Sequence, residues 1–222
     1  DGIESLEHLD LSSNKIKFLD YKSIIIFKGI PKLKQLILAK NPIEQIDTLN
    51  FDGIESLELL DLSGCQIKSL ENVNICGIGS LRSLFLNNNP IQNLEKITIN
   101  GVNKLEMLDL SYINLKNMSA LKSNNFERLK SLKLIGNKLN SLKIYLNGFP
   151  NLEQLDLTNG IESSLGSFDF VFFSNSQSNN SLRKLILEGI ELENLADLNI
   201  SGANSLEYLD LSKSSIGKIE NP

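Results

Sequence analysis

The feature that most restricts this fold is a spacing. The pattern Leu-x-x-Leu-x-Leu occurs nine times, with first leucines Leu6, Leu33, Leu57, Leu81, Leu105, Leu129, Leu152, Leu182 and Leu206. Successive motifs stand 27, 24, 24, 24, 24, 23, 30 and 24 residues apart. A period this constant predicts a repeat solenoid rather than an ordinary globule. Within a motif the second and third leucines, such as Leu9 and Leu11, are two apart, so both lie on one face of a strand. The residue between them faces the other way. One short strand per repeat makes a parallel sheet roughly 40 Å long at ~4.8 Å per strand. No repeat can cover its own leucines, so neighbours must stack. Ile16, Leu19, Phe27 and Ile30 on the first return path add to the core. The expected fold is an α/β-type repeat solenoid: an arc with a parallel concave β-sheet and an irregular or short-helical convex side. It spans 1–222 as a single segment of nine repeats. Asp1 matches Asp52, which lies late in a repeat, and Pro222 also falls inside one. Further repeats or capping units are therefore expected on both sides.

The repeats alternate between two kinds. After the first leucine stand Glu7, Lys34, Glu58, Arg82, Glu106, Lys130, Glu153, Arg183 and Glu207, acid and base in turn. Between the second and third leucines, Asp10, Asp61, Asp109, Asp156 and Asp210 occupy the odd repeats, and Ile37, Phe85, Lys133 and Ile186 the even ones. A column of like charges at strand spacing would repel itself, whereas alternation yields a ladder of opposite charges. Each exposed pair contributes ~0.2–1 kcal/mol. The unit of duplication reads as two repeats, because 1–6 and 52–57 are identical. Three residues past the third leucine, Asn14, Asn41, Asn89 and Asn137 can satisfy backbone groups of the adjacent turn. Cys65, Ile113, Gly160, Ile190 and Ser214 break that series, so looseness or bridging water is expected there.

Net charge is -5 and the pI about 5.1, which argues against a phosphate-binding surface and so against nucleic acid. The longest apolar run, Ile24 to Phe27, is far short of the ~20 residues of a membrane helix, and no membrane contact is expected from this segment. Two cysteines make no disulfide framework.

Segments such as Ser56-Leu-Glu-Leu-Leu-Asp-Leu-Ser63 followed by Ile67 and Leu70, with the recurring lead-in at Gly53, Gly77 and Gly101, resemble the 24-residue typical class of leucine-rich repeats. That class is similar to the ectodomains of Toll and Toll-like receptors, chaoptin-like adhesion proteins and small leucine-rich proteoglycans. The resemblance covers essentially the whole chain. It implies extracellular or cell-surface recognition of a protein or glycan ligand, with homodimerisation a further implied property. The cap disulfides of those ectodomains are missing, so the alternative is an intracellular scaffold or regulator in the cytoplasm.

The concave face is the expected binding surface. Leu59, Phe85 and Met107 fall on three successive strands and should form one apolar patch, of the kind enriched in contact surfaces. Asp61, Asp109, Tyr112, Lys133 and Ile135 adjoin it, and Ile37 and Ile186 extend it. The Asp column is expected to accept hydrogen bonds from the neighbouring hydroxyls Ser12, Ser63, Ser111, Thr158 and Ser212. Asp61 and Asp109, roughly 9.6 Å apart at two strand spacings, approach the separation of an inverting glycosidase pair. An open sheet has no pocket to raise one pKa, so no catalytic residue, metal site or cofactor is expected. In the long seventh repeat Phe168, Phe170 and Phe172 alternate as in a strand. They form either a clamping or dimerising protrusion or a wider convex loop whose phenylalanines fill the core; the second reading is preferred. Asn117, Asn179 and Asn199 head N-glycosylation sequons, about the number chance would give. His8, the only histidine, reads as a surface residue of the concave rim, and Cys65 as a buried free thiol.

Overall fold

A computed structural model describes residues 3–19, 29–46, 48–71, 73–92, 95–121, 126–141, 143–146, 148–162, 167–171 and 181–219, with backbone alone at Thr48 and Phe168. Nine three-residue strands form one parallel sheet in chain order. They are β1 (His8–Asp10), β2 (Gln35–Ile37), β3 (Leu59–Asp61), β4 (Ser83–Phe85) and β5 (Met107–Asp109). The rest are β6 (Ser131–Lys133), β7 (Gln154–Asp156), β8 (Lys184–Ile186) and β9 (Tyr208–Asp210). The register is the one the motif spacing predicts: each second leucine lies beside its counterpart in the next repeat, from Leu9↔Leu36 to Leu185↔Leu209. The central leucines Leu36, Leu60, Leu84, Leu108, Leu132, Leu155 and Leu185 are buried in one continuous apolar cluster. Leu209, on the edge strand β9, is 36% exposed.

Two backbone devices recur at the strand ends. Ahead of the strand, the N–H of the first motif leucine donates to the carbonyl three residues back, as in Leu57 to Ile54 at 3.0 Å and Leu105 to Val102 at 3.0 Å. Past the strand, one position adopts positive φ in all nine repeats: Ser13, Lys40, Gly64, Asn88, Tyr112, Gly136, Asn159, Gly189 and Lys213. Only three of these are glycine, so the sheet and core impose a conformation that most side chains resist. At Gly136 an added Cβ would lie 2.2 Å from the Tyr112 ring, so the neighbouring repeat's side chain already fills that space.

The asparagines reach further than the sequence suggests. Asn41 donates to Leu38 O at 2.9 Å in its own repeat and to Leu11 O at 2.8 Å in the preceding one, and accepts from Ile16 N. Asn89 joins Leu86 O and Leu62 O and accepts from Ile67 N; Asn137 joins Leu134 O and Leu110 O and accepts from Leu115 N. Each amide therefore serves two turns. This corrects the expectation of unserved turns at Cys65 and Ile113, whose repeats are held by the asparagine of the next one. Cys65 adds a weak Sγ contact to Leu38 O at 3.5 Å, and its burial pushes the thiol pKa up.

The convex side is more regular than expected. Thr48–Asn50, Val73–Cys76 and Ile99–Asn100 form one parallel ladder, and Lys143–Tyr145, Phe168–Val171 and Leu198–Asn199 another. Glu191–Asn194 pairs with Ser215–Lys218. Helix is confined, among the described residues, to short 3-10 turns such as Met118–Leu121 and Leu195–Asp197. Phe170 lies in the second ladder and is 3% exposed, because alternation along that strand turns it into the core. It fills the interior and does not protrude. Phe168 belongs to the same strand by its backbone, and Phe172 lies outside the described residues.

Candidate ligand-binding face

Two columns of side chains leave the concave face of the sheet. One contains Leu59, Ser83, Met107, Ser131, Gln154, Lys184 and Tyr208. The other contains Asp61, Phe85, Asp109, Lys133, Asp156, Ile186 and Asp210. Leu59 and Met107 share the first column with Ser83 between them, and Phe85 stands diagonally in the second between Asp61 and Asp109. All three apolar side chains are half-buried and lie on adjoining strands. Lys133 and Ile135 follow on the next strand and its exit, both half-buried.

Two predicted face residues are placed differently from expectation. Asp109 is only 9% exposed, since its neighbours in the column are the bulky Phe85 and Lys133 and its carboxylate folds back onto its own turn. Tyr112 is off the sheet, in the left-handed turn beyond β5, and is 54% exposed with its ring over Gly136.

The Asp column bonds backbone N–H groups in addition to the expected hydroxyls. Asp10, Asp61, Asp109, Asp156 and Asp210 each accept the backbone N–H two residues on, at 2.8 to 3.0 Å. Hydroxyls bond the column as well: Thr158 reaches Asp156 at 2.8 Å, Tyr208 reaches Asp210 at 3.1 Å, and the Ser12 and Ser212 side chains act on Asp10 and Asp210. The backbone bonds make side-chain-closed turns that lead the chain into the left-handed position. The Ser12 side chain and its N–H hold the Asp10 carboxyl below the usual carboxylate range. Ser212 does the same for Asp210, helped by the Tyr208 hydroxyl and Lys184. That contact in turn raises the Tyr208 phenol.

Along the sheet's rim the acid–base ladder is present in part: among the described residues Glu58 and Glu153 join no ion pair. Lys34 pairs with Glu7 at 2.9 Å, Glu106 is held between Arg82 and Lys130, and Arg183 pairs with Glu207. Lys130, then Arg82, lowers the Glu106 pKa, and Glu7 raises that of Lys34. His8 is exposed on the rim, 2.9 Å from the Gln35 side chain.

A depression of about 290 Å³ lies on the face over β6 to β8, lined by Ser131, Lys133, Gln154, Asp156, Lys184 and Ile186. Sequence reasoning missed Gln154, Lys184 and Tyr208 as face residues. They stand one residue before the second leucine, as Leu59 and Met107 do, so extending that column would have found them. Lys184 Nζ sits 4.9 Å from the centre of the Tyr208 ring, a cation–π contact.

Of the sequons, Asn117 and Asn199 are exposed on the return path, and each accepts the N–H of its own sequon serine, at 2.8 and 2.9 Å. Asn179 lies outside the described residues. Among the described residues no group of three or more His, Cys, Asp or Glu converges to hold a metal, and no helix is long and apolar enough to cross a membrane.

Comparison with known proteins places these features in context. The family profile "Leucine Rich repeats (2 copies)" matches residues 4–51 and "Leucine Rich Repeat" matches 56–78. No curated protein sequence matches the chain significantly. Among solved structures, internalin C2 from Listeria monocytogenes superposes with a TM-score of 0.60 at 18% identity, covering 95% of this chain and 82% of that one. The leucine-rich repeat domain of APL1B gives 0.56 at 22% identity, over 95% and 62% of the two chains. TLR13, in its complex with ssRNA13, gives 0.52 at 22% identity, over 94% of this chain but 42% of its own. At these identities the likeness is one of fold.

Proposed function

Since the chain belongs to the leucine-rich repeat family, whose fold serves protein recognition, we propose that its concave sheet binds a protein or glycan ligand in the manner of an extracellular receptor or adhesion segment. The observation that carries this reading is the trio Leu59, Phe85 and Met107, partly exposed on adjoining strands of an open sheet. Apolar and aromatic groups so placed are what contact surfaces enrich. The nucleic-acid complex formed by TLR13 is a property of that protein; the acidic balance here, with net charge -5, favours a protein or glycan over a polyanion.

The test is a Phe85→Ser, Met107→Ser double variant. Candidate partners retained from extracellular fluid by the wild-type protein are purified and measured one by one. Binding should be lost in the variant, with the thermal midpoint little changed. A purified partner that binds both forms equally would refute the patch.

The secretory assignment has its own test. Asn117 and Asn199 lie on the return path, so glycans there would leave the concave sheet open. Enzymatic N-glycan removal from the native protein should lower its mass and convert Asn117 or Asn199 to Asp. An unchanged mass would favour the second reading, an intracellular scaffold, which the free thiols of Cys65 and Cys76 support.

A further inference from the structure

Resting on that reading of the concave face, we propose that the depression over β6 to β8 receives the carboxylate side chain of a protein partner, held between Lys133 and Lys184. Its volume of about 290 Å³ is at the low end of ligand sites, on the scale of one or two side chains. Lys133 is the sole cation in a column otherwise made of Asp and apolar residues, and it makes no ion pair with any described residue. The four basic residues of the neighbouring rim ladder are all paired. Lys133 stands between Asp109 and Asp156 in that column, and both carboxylates bond their own turns, so its ammonium makes a direct ion pair with neither.

Asp156, on the strand between those of the two lysines, lines the depression with one carboxylate oxygen committed to its own turn. Its Oδ1 accepts both the N–H and the hydroxyl of Thr158, which ties the carboxylate to its own turn. Lys184 is held on the far side by the face of Tyr208, and Gln154 and Ser131 add neutral polar groups between the cations. A carboxylate entering here meets charge-assisted donors on two sides, which are stronger than neutral ones. The surroundings favour a peptide over a sugar acid. Ile186 lines the site, half-buried Ile135 follows Lys133 at the exit of its strand, and the exposed Tyr112 ring is seated over Gly136 in the turn beyond. Such surface suits the side chains next to an acidic residue better than a ring covered in hydroxyls.

The experiment is a backbone-amide NMR titration of the whole chain with three probes: the capped peptide Ac-Leu-Glu-Leu-NH2, its Gln counterpart, and glucuronic acid. The Glu peptide should shift amides in 131–133, 154–156 and 184–186. Its Kd should be at least about tenfold below that of the Gln peptide, a ratio equivalent to ~1.4 kcal/mol. Lys133→Glu with Lys184→Glu should remove those shifts without moving the melting temperature, and the milder Lys133→Met, Lys184→Met pair should do the same. Equal binding of the Gln peptide, tighter binding of glucuronic acid, or undiminished binding by the lysine variants would each overturn the proposal. Shifts confined to Leu59, Phe85 and Met107 would overturn the carboxylate subsite and leave the concave-face reading standing. Shifts absent from the whole sheet would count against both.

Discussion

Repeats one to six and repeats seven to nine follow the same path but are fastened differently. In the first group Asn41, Asn89 and Asn137 each tie two consecutive turns through a buried amide. In the second group no asparagine stands at that position. Gly160 closes its turn by a backbone bond to Leu157 O at 2.7 Å, and its missing side chain leaves room where a Cβ would lie 2.9 Å from Leu134 O. Ser214 reaches Leu187 O at a long 3.4 Å and accepts Ile190 N at 3.2 Å. Yet Asn159, Gly189 and Lys213 keep the left-handed turn of the earlier repeats. The sheet and the apolar interior therefore set the backbone path, and the amide sets how firmly each turn is held.

The largest effects should be alike in both regions. Leu60→Ala and Leu185→Ala, each at a fully buried site, should both cost about 2–5 kcal/mol in chemical unfolding. A large disparity would mean that the regions differ in core packing and not in turn chemistry. Next comes Asn89→Ala. It strands Leu62 O, Leu86 O and Ile67 N, and should cost about 3 kcal/mol at roughly 1 kcal/mol or more per orphaned group. Hydrogen exchange should accelerate in repeats three and four together; acceleration in the fourth alone would contradict the sharing of one amide by two turns. Ser214→Ala removes only long or partly exposed bonds and should cost about 0.5–1 kcal/mol, and a loss equal to that of Asn89→Ala would erase the contrast. The smallest effect belongs to the rim. Glu106→Gln should cost a few tenths of a kcal/mol, less at high salt. Because Lys130 and Arg82 depress the Glu106 pKa below 4.5, its contribution is present above the ordinary carboxylate range and lost as pH falls through the folded pKa. The variant should therefore lose less stability between neutral and acid pH than the wild type does. An unchanged acid limb would remove Glu106 from the account.

Much of this was legible because it depends on spacing alone. Strand register follows from leucines that are apolar in every repeat, and the rim pairs from charges that alternate without exception. Cys65 was readable as buried from its place in the asparagine column. What escaped depends on geometry that residue type does not announce. The left-handed column is filled by Ser13, Lys40, Tyr112 and Lys213 as readily as by glycine, so nothing in the sequence marks it. The reach of Asn41 into the preceding repeat depends on the distance between stacked turns. Asp61 and its counterparts bond backbone N–H groups because the turn beyond the strand curls back over them. At the candidate site, Phe85 and Met107 were found by their chemistry, whereas Lys184 and Tyr208 required the column to be followed across repeats that look polar.

The amide that serves two turns has a consequence for how such a chain can change length. Excising residues 81–104, a single repeat, would set Glu58 beside Glu106 and Asp61 beside Asp109, and would leave Leu62 O and Ile67 N without Asn89. Excising 81–128, a pair, would bring Lys130 beside Glu58 and Asn137 to the turn that Asn89 had served. The solenoid has a parity. It can lengthen or shorten by twos with its internal grammar intact, and a change by one leaves a mismatched seam.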